Sequence, residues 1–413
     1  MALDGAFVIV GASLAGARAA QALREGGFGG PLVLIGEEGE LPYERPPLSK
    51  GYLLGKDARE KIYVHSFDWY AEHGVDLRLN TRVSAIDPAA HEVVLDAGDR
   101  VGYAKLLLTT GSSPRRLPVP GADLDGVLYL RTAADSDRIK QVFQSVSRVV
   151  VIGAGWIGLE CAAAAREAGV EVTVLEAAEL PLLRVLGREV AQVFAGLHRE
   201  HGVDLRLGVQ VAEITGSGGA VDGVRLADGT RIDADAVIVG VGVAPNTALA
   251  QAAGLDVENG IRVDGRLRAS HPDIYAAGDV ANAFHPLLGR HIRVEHWANA
   301  LHQPLTAARV MLGDADAIYD RVPYFFTDQY DLGMEYSGYV EPDGYDQVVF
   351  RGDVSGREFV VFWLADGRVL AGMNVNIWDV NEQIQRLVRA GLPIDPARLA
   401  DPAVPLDDAA KAA

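Results

Sequence analysis

One pattern, used twice, constrains this chain more than any other feature. Residues 7–37 read Phe7-Val8-Ile9-Val10, a glycine-rich turn, an alanine-rich stretch to Gly26-Gly27, a second apolar run Leu32-Val33-Leu34-Ile35, and then Glu37. Residues 148–176 repeat the plan with Val149-Val150-Val151-Ile152, a glycine turn, an alanine-rich stretch to Gly169, Val172-Thr173-Val174-Leu175, and Glu176. Continuous runs of β-branched residues suit strands buried on both faces of a parallel sheet, where no polar face is needed. Alanine suits a helix that packs close beside such strands. Each copy therefore predicts a β-turn-α-β unit, and an α/β class follows.

The turns carry the chemistry. In the second copy, Gly153-Ala154-Gly155-Trp156-Ile157-Gly158 stands between strand and helix. The first glycine permits the tight turn, the second lets backbone approach a pyrophosphate, and the third permits close helix–strand packing. The free N–H groups and positive dipole end of the helix then face the phosphates. A carboxylate at Glu176 suits the ribose hydroxyls of NAD and repels the extra phosphate of NADP. Arg184 is the nearby cation that qualifies this preference. In the first copy, Gly11-Ala12-Ser13-Leu14-Ala15-Gly16 has serine at the middle position, small enough to allow backbone approach at some cost in fit, and Glu37 is the matching acid.

Further strand-to-turn transitions lie at Leu106-Leu107-Leu108 before Thr109-Thr110-Gly111, and at Val237-Ile238-Val239 before Gly240-Val241-Gly242. They read as paired crossovers between two modules. Ile274-Tyr275-Ala276-Ala277 runs into Gly278-Asp279, whose carboxylate suits the ribityl chain of a flavin nucleotide. In flavoprotein reductases a first module holds FAD and an inserted second holds NAD(P)H. That plan predicts a discontinuous FAD domain over 1–111 and 245–321, an NAD domain over 112–244, and a C-terminal α+β domain over 322–413, where aromatics and alternating strands take over. Residues after Pro402 read as a loose tail.

Composition removes other classes. The formal net charge of −18 argues against general nucleic-acid binding, which wants a basic surface. No apolar run is long enough for a spanning helix, and Met1-Ala2-Leu3-Asp4-Gly5 lacks the basic start of a signal peptide, so a cytoplasmic setting with no membrane is expected. The single cysteine, Cys161, excludes an internal disulfide and a multi-cysteine metal site. It lies in the alanine-rich helix of the second module, where a small buried residue is expected. No metal site is expected either: His296 and His302 fall on different helix faces.

The order of the first glycine turn, Tyr43-Glu44-Arg45-Pro46-Pro47-Leu48-Ser49-Lys50, Thr110-Gly111, the second glycine turn, Gly278-Asp279, Glu295-His296-Trp297 and Pro323-Tyr324-Phe325-Phe326-Thr327-Asp328-Gln329-Tyr330 resembles the oxygenase-coupled NADH-dependent ferredoxin reductases. The likeness runs from the N-terminus to about residue 390. It implies two Rossmann-like domains in a glutathione-reductase-like arrangement, with FAD and NADH as cofactors. Arg45 would meet the FAD pyrophosphate, and Arg131 and Val83 would also contact FAD. Lys50 would lie by the flavin ring and pair with Glu160, together favouring the charge of reduced flavin. Asp279 and Trp297 would close around the flavin, with Glu295 and His296 near the nicotinamide.

The implied reaction moves a hydride from NADH to FAD and then single electrons to a small [2Fe–2S] or [3Fe–4S] ferredoxin. That ferredoxin would serve a cytochrome P450 or a dioxygenase. Related flavoenzymes that reduce disulfides or peroxides need cysteine beside the flavin, and this chain offers none soon after its first module. A rubredoxin reductase, an NADH oxidase and a redox interaction protein akin to apoptosis-inducing factor are the alternatives. Monomer and homodimer are both open.

Overall fold

The computed structural model describes residues 5–409. The first four residues, on which the signal-peptide expectation bears, lie outside that range. The chain packs as two compact units. One comprises Met1–Glu44, Arg59–Ser113 and Ala244–Pro323, the other Arg45–Ala58, Pro114–Val243 and Tyr324–Ala413.

The first unit is organised by a parallel sheet of five strands in the order Ile274–Ala276, Lys105–Leu108, Phe7–Val10, Leu32–Ile35, Val75–Arg78. Every residue of Phe7–Val10 and Leu32–Ile35 is buried, which is why those runs show no alternation. Helix Leu14–Glu25 lays Ala17, Ala19, Ala20 and Leu23 into this core. Two smaller three-stranded sheets are appended, an antiparallel one containing Val83–Asp87 and a mixed one of Ile261–Val263, Ala281–His285 and Arg290–Arg293.

The second unit repeats the design with Asp204–Leu207, Glu171–Glu176, Arg148–Ile152, Ala236–Val239 and Val127–Leu128, all parallel. Helix Trp156–Glu167 buries Leu159 to Ala165 almost completely. A five-stranded antiparallel sheet follows, in the order Tyr324–Gln329, Leu332–Gly338, Arg368–Val375, Glu358–Ala365, Gln347–Asp353. Its inner face shares a core with the parallel-sheet module. Phe325, Met334, Tyr336 and Trp363 join Leu159, Ala162, Leu186 and Phe194 in one cluster, and Trp363 Nε1 donates to Leu186 O at 3.1 Å.

Over residues 403–409 the loose tail expected after Pro402 is not what forms; residues 410–413 lie outside the described range. Leu406–Ala409 is helical, and Leu406 and Ala409 are buried. Arg351 donates to the carbonyls of Leu399, Asp401, Pro402 and Val404, and Arg386 pairs with Asp407 at 3.0 Å. A distant arginine collects carbonyls that the local sequence leaves unsatisfied, so nothing local announces the order.

Candidate active site

In the first unit the glycine turn is fixed by close backbone packing. Gly11 has φ +117°, and a Cβ there would stand 2.2 Å from Thr109 O. A Cβ on Gly16 would meet Gly11 O at 2.1 Å. Both positions therefore need glycine on steric grounds. Ser13 caps the helix in extended conformation but makes no side-chain cap bond, and the first turn, from buried Leu14 and Ala15, carries no acid. The helix thus begins with its positive end uncompensated by its own side chains, which is the setting an anionic phosphate completes.

The turn at Gly278-Asp279 lies against that helix start, since a Cβ on Gly278 would reach Ala15 Cβ at 3.3 Å. Ser112 donates its hydroxyl to Asp279 Oδ2 at 3.0 Å, and Gln303 Oε1 accepts from Gly278 N at 2.8 Å. Thr110 is tied to Asn246 in both directions, and Gly111 O accepts from Asn246 N. His296 stands at the N-cap position of helix Trp297–Met311, without a side-chain cap bond. Burial pushes the His296 imidazole down to about 4, opposed by the charge of Asp279. Glu295 pairs with Arg293, which also donates to Asp279 O at 3.3 Å. Trp297 Nε1 donates to Glu44 Oε2 at 3.1 Å, and burial raises the Glu44 carboxyl despite that bond. The first unit therefore gathers Gly11, Ser13, Asp279, His296 and Trp297 through these contacts. Val83 lies in the appended sheet, 5% exposed and packed in the core of this unit. Glu37 lies two residues beyond its strand, exposed, with Arg82 at 3.9 Å.

In the second unit Gly153 has φ +99° and faces Gly240 O, which its Cβ would reach at 2.4 Å. A Cβ on Gly158 would meet Gly153 O at 2.0 Å. Gly155 differs: a Cβ there meets nothing within 4 Å. Its missing side chain serves open space at a helix start that again has no side-chain cap and no acid in its first turn. These residues fit a dinucleotide pyrophosphate. Trp156 packs on Phe194 and Phe325, while Ile157 is exposed. Glu176 ends its strand, and its two oxygens accept from Ala154 N at 2.7 Å and Ala178 N at 2.8 Å. The acid thus braces the glycine turn, and each oxygen retains acceptor capacity for a ribose hydroxyl. Arg184 is exposed on the first turn of helix Leu183–Glu200, and Gly242 O accepts from Arg115 N.

Two prolines start the short 3-10 turn Pro46–Ser49, where a missing N–H costs nothing. The turn presents Lys50, whose Nζ stands 2.7 Å from Glu160 Oε2. Glu160 is 4% exposed and Lys50 18%. Ser49 also donates to Glu160 Oε2, and Thr327 donates to Oε1 at 2.5 Å. Arg45 donates to Arg131 O at 2.5 Å, and Arg131 N donates to Asp135 Oδ2, inside the capping box that opens helix Ala133–Phe143. Sequence reasoning missed the hydroxyls of Ser49, Thr327 and Ser112 and the Glu44 carboxylate. All four sit in or beside quoted motifs, but nothing in those strings tells which polar group each one meets. Cys161 is fully buried, and burial first, then the neighbouring Glu160 charge, pushes its thiol up to about 12. Among the described residues no cluster of His, Cys, Asp and Glu suits a metal ion, and no helix is long and apolar enough to cross a membrane.

Two glycine turns at uncapped helix starts, on separate parallel sheets, define a two-nucleotide oxidoreductase. The chain belongs to the pyridine nucleotide-disulphide oxidoreductase family, which it matches over residues 5–303, and it carries a reductase C-terminal domain over 324–410. Its cofactors are FAD and NAD(H). It is 44% identical to the ferredoxin–NAD(+) reductase component of the anthranilate 1,2-dioxygenase system of Burkholderia cepacia, over 97% of this chain and 98% of that one. It is 39% identical to putidaredoxin reductase of Pseudomonas putida, over 98% and 97% respectively. The crystal structure of the covalent putidaredoxin reductase–putidaredoxin complex superposes with a TM-score of 0.95 at 39% identity, covering 99% of this chain and 100% of that chain.

Proposed function

We propose that this chain is an NADH-dependent ferredoxin reductase that supplies an oxygenase, either a cytochrome P450 or a dioxygenase. The observation that carries the reading is identity of 44% with a ferredoxin–NAD(+) reductase over nearly the whole of both chains. The buried, unreactive Cys161 agrees with it, because a thiol relay has no accessible sulfur to use. When bound, FAD accepts a hydride from NADH and releases electrons one at a time.

The chain's own residues bind, orient and set charge. The turn at Gly153, Gly155 and Gly158 offers N–H groups to the NADH pyrophosphate, and Glu176 offers acceptors to its ribose. Gly11, Ser13 and Gly16 do the same for FAD, with Asp279 toward the ribityl chain and Arg45 toward the phosphates. Lys50, held by Glu160, places an ammonium beside the flavin ring and favours the form that carries negative charge. No nucleophile or general acid is required. We assign FAD binding to 1–111 and 245–321, NADH binding to 112–244 and an α+β domain to 322–413. The partner is a [2Fe–2S] or [3Fe–4S] ferredoxin in a cytoplasmic setting. Purified protein should be yellow, bleach with NADH, and reduce cytochrome c quickly only when a ferredoxin is added. A rate indifferent to ferredoxins of both cluster types would overturn the partner.

A further inference from the structure

We infer that Thr327 is a positioning residue for hydride transfer: its hydroxyl fixes one oxygen of Glu160 so that the other stays on Lys50. The inference rests on the placement of Lys50 beside the flavin under the proposed function. Its geometry belongs to one compact unit.

Glu160 is a buried carboxylate with 4% exposure, and such a group persists only if its oxygens are well supplied with donors. Ser49 and Lys50 both approach Oε2, from the turn that follows Pro46-Pro47. Thr327 alone approaches Oε1, at 2.5 Å, from strand Tyr324–Gln329. Without Thr327, Oε1 loses its donor and the carboxylate can rotate about its last bond, which turns Oε2 out of line with Lys50.

Thr327 is itself held. Gln329 Nε2 donates to Thr327 Oγ1 at 3.2 Å, and His198 Nε2 faces Gln329 Oε1 at 2.8 Å. Thr327, Gln329 and His198 are each 1% exposed or less. Burial keeps His198 neutral by lowering its imidazole to about 4. Its Nε2 faces the acceptor oxygen of Gln329 and its Nδ1 the Tyr330 hydroxyl at 3.4 Å, which suits the tautomer with the proton on Nε2. Imidazole N–H, amide N–H and hydroxyl O–H then all point the same way, toward the carboxylate. Donors aligned in series polarise one another, which strengthens the last bond, the one on Glu160. The other groups with charge at this point are Asp328, coupled to Lys50 and Glu160, and Glu335 behind it. As carboxylates both can only accept, so neither replaces the donor.

The test compares Thr327→Val, which keeps the shape and removes the hydroxyl, with Thr327→Ser, which keeps the hydroxyl. Each is loaded with FAD, and three properties are measured: the rate constant of flavin reduction by NADH in single turnover, the dissociation constant for NADH, and the flavin midpoint potential. A hydrogen bond to a charged group corresponds to about tenfold or more in rate. Thr327→Val is therefore expected to slow reduction about tenfold, leave NADH affinity unchanged and shift the potential to more negative values. Thr327→Ser should restore all three to within about twofold. In a Glu160→Gln background, Thr327→Val should add no further loss, because it acts through the carboxylate. A Thr327→Val protein with wild-type rate and potential, or a Thr327→Ser protein as slow as the valine variant, overturns the role. If the valine variant fails to load FAD, Gln329→Leu, which breaks the link behind the hydroxyl, is expected to give a smaller loss of the same kind, and wild-type values there overturn the role instead. None of these readouts uses ferredoxin, so failure of the partner assignment is seen separately.

Discussion

The three glycines of the second turn look equivalent in sequence and are not equivalent in the fold. Gly153 is required by backbone, with φ +99° and Gly240 O in the place of a side chain. Gly155 has φ −81° and open space around it, so only a ligand requires it to be glycine. Gly153→Ala should lower the melting temperature markedly and reduce soluble yield. Gly155→Ala should fold with wild-type stability yet weaken NADH binding, at least tenfold by titration of flavin bleaching. Equal NADH affinity for Gly155→Ala and wild type would remove the turn from the nucleotide site. Positions such as these were legible from spacing, because a glycine repeat between strand and helix has few physical meanings. Ser49 and Thr327 were not legible, because a hydroxyl's partner is set by strands far apart in the chain. Glu176 falls between: its strand-end position was legible, whereas its bonds to Ala154 N and Ala178 N were not.

Among elements, the inner parallel strands declared themselves through unbroken apolar runs and the helices after the glycine turns through alanine, whereas the outer strands Val75–Arg78 and Asp204–Leu207, interrupted by charged residues, gave no such signal. The C-terminal segment did not. Its sequence after Pro402 is short and alanine-rich with no strong apolar pattern, yet Leu406 and Ala409 are buried and Arg351 binds four carbonyls from 399 to 404. Order there is set by an element some fifty positions earlier, and no local pattern reports it. Arg351→Ala should release the segment. Burial of one leucine is worth about 1.5–3 kcal/mol, and the carbonyls can turn to water, so a loss of about 2 kcal/mol is expected by denaturant titration. Limited proteolysis should then cut the segment first. A variant as stable and as resistant as wild type would mean that the segment contributes nothing to the fold.

At the scale of the whole molecule, the duplicated module, the acidic balance and the lone cysteine were all available from the sequence. The merging of the antiparallel sheet into the core of the second module was not, because it depends on Phe325, Tyr336 and Trp363 reaching helices more than a hundred residues away. The cysteine makes the sharpest claim about the molecule as a whole. The chain belongs to a family named for disulfides, but its one sulfur is fully buried beside Glu160, with the thiol pushed up to about 12. A thiol so protected is neither nucleophile nor metal ligand at neutral pH, since thiolate is the reactive form. Native protein should therefore resist iodoacetamide at pH 8 and react once denatured. Cys161→Ala should reduce its flavin with NADH, and then a ferredoxin, at rates within about twofold of wild type. The loss of a small buried group should cost about 1 kcal/mol of stability. Cys161→Ala protein whose flavin is still reduced but which no longer delivers electrons would place sulfur on the path, and the direct route from flavin to acceptor would have to be abandoned.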